Sequence, residues 1–269
     1  MENDSGEKMN SQGVKLTILM PVHNEGINLK NMLRILEATV DYPHEVLVVY
    51  DRPEDDSRPV VEAMNKVYPH VRPIHNQLGR GVANAIKAGV SHARGEYILV
   101  IAADDIGPVL AIDEMIELME EGCDLVSATR YAHGGRVYGG AKISRILSRT
   151  ANMLFNFLSG SSLTDATIGI KMIRKSVFDR IVLESRPVGW VIAFELSIKS
   201  QLAGLNLGEV PIVSINRFYG GKSSFKPGPW IVEYSKWFLW GLKNIYLSGQ
   251  WRNRPVLRIP KRILEERIR

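Results

Sequence analysis

The chain has 269 residues, of which 45% are hydrophobic and 23% are charged, a composition typical of a globular protein with one large domain. Its single cysteine, Cys123, excludes an internal disulfide and suits a reducing compartment, where a buried apolar role is expected for it. The net charge of +5 favours anionic partners such as phosphorylated substrates or anionic lipids. The aromatic residues do not interleave with a basic stripe, so no nucleic-acid partner is expected.

Short apolar runs alternate with amphipathic helical patterns through the first hundred residues. This alternation predicts an α/β fold with a mostly parallel, doubly wound sheet. Ligands bind to such sheets beyond the carboxyl ends of the strands. The predicted strands cover residues 16–22, 45–51, 71–75 and 96–103, and the helices between them include residues 27–36, 60–68 and 81–93.

Polar residues follow three of these strands directly. Asn24 and Glu25 come after the first strand, Asp51 ends the second, and Asp104 and Asp105 follow the fourth. Acidic residues often cap the next helix, so each one alone is weak evidence. Because three successive strand ends deliver polar groups to one edge of the sheet, they predict a binding site there.

The second half of the chain continues the α/β pattern with two glycine-rich loops, which predict close backbone approach to a ligand. Neither loop matches the phosphate-binding motif of nucleotide triphosphatases or the dinucleotide fingerprint of dehydrogenases. The expected order is helix 111–122, strand 124–130, loop 134–140, helix 142–160, strand 167–173, helix 190–204, strand 208–215 and loop 216–229.

Five motifs occur in an order that resembles family 2 glycosyltransferases with the GT-A fold. The branch they resemble is that of the dolichol-phosphate mannose and other polyprenyl-phosphate sugar synthases, and the resemblance covers about residues 15–245. Each motif alone is unspecific, whereas the ordered set is specific. The motifs are PVHNE at 21–25, Asp51 after the second strand, RGEYILVIAADD at 94–105, SATRY at 127–131 and GGKSS at 220–224.

The resemblance implies an inverting transfer of a hexose from a nucleotide diphosphate sugar, with GDP or UDP as the nucleotide, to a polyprenyl or dolichyl phosphate. It implies Mg²⁺ or Mn²⁺ at Asp104, with Asp105 as a candidate second ligand in place of an acid missing at position 102. Phosphate groups are expected at Arg130, Arg145 and Arg217. The implied donor-binding residues are Pro21, His23, Glu25, Asp51, Arg80, Gly81, Ala103, Ser223 and Lys226.

The sequence departs from the family pattern at several positions around the site. Ala102 replaces the first acid of the metal motif, Ile106 replaces a polar residue, and Tyr50 replaces an aspartate before Asp51. These departures leave open a family 2 transferase that extends a cell-surface saccharide. They also leave open a non-catalytic GT-A scaffold that binds nucleotide or membrane.

The two acceptor classes need different chemistry. A sugar hydroxyl requires a general base, for which Glu195 is the candidate, although a buried structural role fits this residue better. A lipid phosphate is already an anion and needs positive charge to hold and orient it. Arginines suit that task because the guanidinium can bind two oxygens at once. Arg145 and Arg149, at helical spacing i and i+4, with Asn152 and Asn156 beyond them, predict one basic face or a solvated surface.

The segment 230–247 predicts an amphipathic helix rich in tryptophan and tyrosine, and the basic residues 251–269 follow it. Such a pair is typical of an interfacial membrane helix, although packing on the domain or a homo-oligomer contact is the alternative. No signal peptide or membrane-spanning helix is expected, which predicts a cytoplasmic protein peripheral to the inner face of a membrane. The expected organisation is a flexible N-terminus (1–14), a GT-A domain (15–229) and a membrane-proximal or oligomer-contact tail (230–269).

Overall fold

The fold is built on an eight-stranded, mostly parallel sheet with helices on both faces. The computed structural model describes residues 13–139, 142–215, 220, 227–252 and 254–268. Along the sheet the strands follow the order β10-β8-β5-β7-β4-β1-β2-β3, and β6 and β9 form a separate two-stranded sheet. The strands are β1 Leu16–Val22, β2 His44–Tyr50, β3 Val71–His75, β4 Tyr97–Val100, β5 Leu125–Thr129, β6 Arg136–Tyr138, β7 Lys171–Arg174, β8 Leu207–Pro211, β9 Val213–Ile215 and β10 Leu257–Arg258.

The helices connect successive strands or cover one end of the sheet. A short 3₁₀ helix, Gly107–Ala111, follows the polar residues after β4. The α-helices are α1 Gly26–Thr39, α2 Ser57–Val67, α3 Val82–His92, α4 Ile112–Glu120, α5 Lys142–Ser159, α6 Val177–Arg180, α7 Val191–Leu202, α8 Pro227–Leu247 and α9 Lys261–Ile268.

The central strands are buried on both faces, which explains their continuous apolar sequences. In β1, Ile18 and Met20 enter the core beneath α1 and α4, while Leu19 enters the core beneath α3. Because successive side chains of a strand point to opposite faces, one apolar strand supplies both cores. A third core, which includes Phe155 and Trp237, joins α5, α7 and α8 to the sheet.

The predicted α/β fold with a mostly parallel sheet is confirmed, and two elements differ from expectation. Strand β7 is antiparallel to both of its neighbours and covers only residues 171–174, not 167–173. The apolar run 208–215 forms two strands, because β8 pairs with β5 in the large sheet and β9 pairs with β6. Cys123 is buried, and burial raises the pKa of its thiol to about 11, which suits the expected apolar role.

The segment beyond residue 229 is joined closely to the rest of the fold. Helix α8 begins at Pro227, so the expected boundary falls inside a helix, and β10 extends the edge of the large sheet beside β8. Trp237 and Ile245 of α8 are buried in the core, and Glu233, expected on the polar side, is also buried. Within the described residues, every helix is too short or too polar to cross a membrane.

Candidate active site

The turn after β1 is held by the loop that follows β2. The backbone N–H of Asn24, whose φ is +56°, donates to both carboxylate oxygens of buried Asp55 at 3.1 Å. The next two amides donate to the side chains of Ser57 and Asp56, at 3.0 and 2.9 Å. His23 is exposed, and its Nδ1 lies 3.8 Å from Asp55. The PVHNE motif is therefore a rigid turn whose residues reach the carboxyl edge of the sheet.

Glu25 and Asn28 bring a distant loop to this turn. The Nδ2 group of Asn28 donates to Glu25 Oε2 at 2.7 Å and to the carbonyl of Gly220 at 3.3 Å. Gly220 belongs to the late glycine-rich loop, so that loop meets the rim where β1 ends. Arg217, Ser223 and Lys226, predicted from the same loop, lie outside the described residues.

Asp51 bridges the ends of two further elements. Its Oδ1 accepts a hydrogen bond from Asn76 Nδ2 at 2.7 Å, and its Oδ2 accepts one from the Gly81 amide at 2.9 Å. Gly81 has φ +107°, and a Cβ there would lie 2.7 Å from the carbonyl oxygen of Pro187. Arg80 beside it is exposed. The structure thus brings Asp51, Arg80 and Gly81 together, and it adds the buried Asn76, which the sequence did not single out.

The two acids after β4 have different environments. Asp104 is half-buried next to buried Ala103 at the carboxyl end of the strand. Asp105 is only 4% exposed, and its Oδ2 accepts a hydrogen bond from Ser214 at 2.5 Å while its Oδ1 accepts one from the Ile215 amide at 2.9 Å. These bonds attach β9 to the end of β4. They argue against the expected role of Asp105 as a metal ligand, because both of its oxygens are occupied.

Arg130 makes a two-point ion pair at the carboxyl end of β5. Its Nε and Nη2 donate to the two oxygens of Asp165 at 2.7 and 3.0 Å, and Nη2 also reaches Ser148 of α5 at 3.3 Å. Burial works against the charge of Arg130, but the Asp165 carboxylate outweighs it and raises the pKa of the guanidinium. Among the described residues no partner contacts Nη1, so Arg130 keeps donors for an anion.

Arg145 lies one turn before Ser148 on α5, and its Nη1 donates to the Val137 carbonyl of β6 at 3.2 Å. Residues three apart share a side of a helix, so Arg145 and the Ser148 hydroxyl that Arg130 contacts lie on the same side of α5. Arg149 is exposed. Asn152 does not continue a basic surface as expected, because it is buried and its Nδ2 donates to Asp165 and Thr167.

A buried polar network lies behind Arg130, and the sequence did not indicate it. Glu209 accepts hydrogen bonds from Thr164 and Asp165 amides at 2.8 and 3.2 Å, and burial raises the pKa of its carboxyl to about 7. Lys171 donates to Ser127 at 2.7 Å, and burial lowers the pKa of its amine to about 8. The network places two acids and one amine under the arginine that faces the rim.

Glu195 has a structural position. It is fully buried, and its two oxygens accept the amides of Glu184 and Ser185 at 2.6 and 2.8 Å. Lys199, one turn along α7, lies 2.7 Å from Oε1. This carboxylate therefore fixes the loop before α7, and nothing in its surroundings leaves it open to a substrate hydroxyl, as the structural interpretation expected.

Two curated proteins with sequence similarity act on lipid phosphates by name. The chain is 28% identical over 241 residues to a dolichol-phosphate mannosyltransferase of Pyrococcus furiosus, which covers 88% of this chain and 64% of that protein. It is 27% identical over 172 residues to an undecaprenyl-phosphate 4-deoxy-4-formamido-L-arabinose transferase of Klebsiella pneumoniae, which covers 62% of this chain and 51% of that protein. The chain therefore spans between about half and two thirds of the length of these relatives.

Solved structures agree with the expected fold. Glucosyl-3-phosphoglycerate synthase from Mycobacterium tuberculosis, in complex with Mg²⁺ and UDP, has a TM-score of 0.62 and 15% sequence identity over 91% of this chain and 84% of that chain. A likeness at this identity shows the fold alone, and it confirms the GT-A prediction. The model of glycosyl transferase family 2 matches residues 17–182, which is more than half of the chain. The chain therefore belongs to glycosyl transferase family 2.

Proposed function

We propose that this protein transfers a hexose, with inversion, from a nucleotide diphosphate sugar to a polyprenyl or dolichyl phosphate. The observation that carries the proposal is the paired arrangement at the rim. A half-buried carboxylate, Asp104, ends β4, and a buried arginine, Arg130, ends β5 with Nη1 uncommitted among the described residues. The first suits the donor diphosphate and its metal, and the second suits a phosphate acceptor. The similar proteins named for lipid-phosphate acceptors support the same substrate class.

Donor binding is assigned to the β1 and β2 ends of the rim. Asp51 is held by Asn76 and the Gly81 amide, so its carboxylate has a fixed position from which to accept hydrogen bonds from a nucleobase. His23 and Glu25 lie on the adjacent rigid turn, and Gly220 places the late loop beside them. In this proposal Arg217, Ser223 and Lys226 of that loop bind the diphosphate.

Asp104 fits a divalent cation of the Mg²⁺ or Mn²⁺ type. Such ions take one or two carboxylates from the protein and complete their coordination with substrate phosphates and water. A single carboxylate at the rim meets that need, with Asp105 engaged by β9 and Ala102 in the place of a further acid. When bound, the cation would stabilise the negative charge that develops on the departing nucleotide diphosphate.

The reaction itself needs little acid–base chemistry from the chain. An oxygen of the acceptor phosphate attacks the anomeric carbon, and the bond from that carbon to the diphosphate oxygen breaks with its electron pair. The acceptor is already deprotonated, so the chain has to hold and orient it. Arg130 and Arg145, on the same side of α5, are assigned to that task. The buried position of Glu195 disfavours the alternative of a base-assisted saccharide acceptor.

A membrane face would bring the enzyme to its lipid. Helices α5 and α8 pack together through Phe155 and Phe238, whose ring centroids lie 5.3 Å apart. Both helices also expose large apolar side chains, which is unusual unless they meet a partner or a lipid surface. We place this face at the inner side of a membrane. The exposed apolar residues are Ile146, Leu147, Met153, Leu154, Phe157, Ile231, Val232, Leu239, Tyr246 and Leu247.

The membrane face is tested by sedimentation with vesicles that contain anionic lipid. Phe157→Ser should reduce the bound fraction, because Phe157 is 80% exposed on α5. Val67→Ser provides a matched control, since Val67 is 67% exposed at the end of α2. Equal binding of the two variants and the unaltered protein would contradict this assignment.

The activity is tested by a transfer assay. Purified protein, Mn²⁺ or Mg²⁺, a short polyprenyl phosphate and each of several radiolabelled GDP- and UDP-sugars are mixed, and label in the organic phase is counted. Metal-dependent glycolipid from one donor is the expected result. Donor binding without lipid product would redirect the proposal to a saccharide acceptor, and Glu195→Gln would then test the base. Donor binding with neither transfer nor hydrolysis would identify a scaffold.

A further inference from the structure

Three potential metal ligands meet at the edge of the sheet opposite the rim. Glu37 lies in the last turn of α1, His44 is the first residue of β2, and His70 immediately precedes β3. One ligand atom from each lies within 4.8 Å of the other two. The backbone fixes this meeting, because the Val46 amide donates to the His70 carbonyl at 3.0 Å and sets the start of both strands.

The hydrogen bonds of His44 prepare one ring nitrogen for a metal. Its Nδ1 lies 2.8 Å from the carbonyl oxygen of Tyr42, which can only accept, so Nδ1 carries the proton. Nε2 then holds a lone pair. The residue is 7% exposed, and among the described residues Nε2 has no hydrogen-bond partner. A backbone carbonyl on the far nitrogen is the usual support of a histidine that ligates a metal.

Glu37 and His70 supply the other two ligands. His70 Nε2 lies 2.8 Å from Glu37 Oε1, and the side chains are 16% and 15% exposed. Two ligands of a tetrahedral Zn²⁺, each about 2.0–2.1 Å from the ion, are separated by roughly 3.3 Å. The Glu37–His70 contact therefore has to open by only about half an ångström, with release of the proton that it shares. The partial exposure of both side chains provides a path for the ion and for a water as fourth ligand.

We propose that Glu37, His44 and His70 form a Zn²⁺ site that is separate from the Asp104 rim. Two imidazoles and one carboxylate are a ligand set that zinc accepts, whereas Mg²⁺ prefers oxygen ligands alone. His44 begins β2 and Asp51 follows its end, so the two sites lie about 20 Å apart along the strand. The site would attach the end of α1 to the first residues of β2 and β3, which is a stabilising role.

The proposal is tested on metal-free full-length protein. Zn²⁺ at roughly a hundredfold above its Kd should raise the Tm by about 5 °C, and EDTA should reverse the shift. Asp104→Asn should keep this shift, which separates the new site from the rim. Binding of Co²⁺ in place of Zn²⁺ should give the intense visible absorption of tetrahedral cobalt with nitrogen ligands.

Variants identify the ligands. Glu37→Gln and His70→Gln, at partly exposed positions, should weaken Zn²⁺ binding by about tenfold or more and abolish the cobalt spectrum. His92→Gln is the matched control, because His92 is an exposed histidine outside the cluster, and it should bind as the unaltered protein does. The proposal is overturned if the unaltered protein shows no EDTA-reversible shift. It is equally overturned if Glu37→Gln and His70→Gln retain the shift and the spectrum seen with His92→Gln.

Discussion

Arg130 and Asp165 form a two-point ion pair in which one partner is fully buried and the other faces the candidate site. The Nε–Oδ2 and Nη2–Oδ1 distances are 2.7 and 3.0 Å, and Asp165 also accepts from the Arg130 amide at 3.3 Å. The carboxylate thus fixes the direction of the guanidinium. Because lysine presents a single charged group, it could not reproduce this two-point contact.

Asp165→Asn should destabilise the protein, because it leaves the buried guanidinium of Arg130 without its counter-charge. Removing one partner of a buried ion pair typically costs about 3–5 kcal/mol of the free energy of unfolding. Urea denaturation measures the change. Asp179→Asn, at an exposed position on α6, is the control and should stay within about 0.5 kcal/mol of the unaltered protein. A similar small change for Asp165→Asn would show that the pair does not hold in solution.

The neighbours Asp104 and Asp105 should respond to substitution in opposite ways. Asp104→Asn should abolish metal-dependent sugar transfer while leaving the Tm nearly unchanged. Asp105→Asn should lower the Tm, because the amide cannot accept from both Ser214 and Ile215 as the carboxylate does. Transfer assays and thermal unfolding of both variants make the comparison. Near-normal transfer by Asp104→Asn would remove the proposed metal ligand.

Gly81→Ala should weaken donor binding more than it weakens the fold. A methyl group at Gly81 would lie 2.7 Å from the Pro187 carbonyl oxygen, which pushes away the amide that donates to Asp51. The KM for the nucleotide sugar is therefore expected to rise by about tenfold, the equivalent of one lost hydrogen bond to a charged group. Gly204→Ala is the matched control, since Gly204 also has positive φ but has no atom within 4 Å of the added Cβ. The idea fails if both variants raise the KM equally.

The rim could be predicted from the sequence because its residues follow strands that are apolar without interruption. The predicted strands 16–22 and 71–75 coincide with β1 and β3, and Asp51 and Asp104 come at strand ends as expected. The alternation of side chains along a strand also indicated that Asp105 points away from Asp104. These predictions depend on local periodicity, which a single chain displays directly.

The network around Arg130 could not be predicted in the same way. Its contacts join Arg130 to Asp165 and Thr164 to Glu209, so they depend on how β5, β7 and β8 are arranged side by side. Periodicity reports which face of an element is apolar, but it does not report which distant polar residues meet. Asn152 shows the same effect, because a basic helical face was expected where the side chain turns inward to Asp165.

Glu209 should make the stability of the protein depend on pH in the acidic range. Burial raises the pKa of its carboxyl from 4.5 to about 7 in the fold, so the folded protein binds more protons than the unfolded chain between these values. The stabilisation is therefore complete below pH 4.5 and is lost as the pH rises through 7, and it amounts to at most about 3 kcal/mol.

Glu209→Gln isolates this contribution, because glutamine does not titrate and its carbonyl can still accept the Thr164 amide. Urea denaturation from pH 4.5 to 8 should show the free energy of unfolding falling more steeply with pH in the unaltered protein than in the variant. Glu54→Gln, at an exposed position in the loop after β2, should keep the steeper profile. Parallel profiles for the unaltered protein and Glu209→Gln would mean that Glu209 titrates in the fold as it does in the unfolded chain.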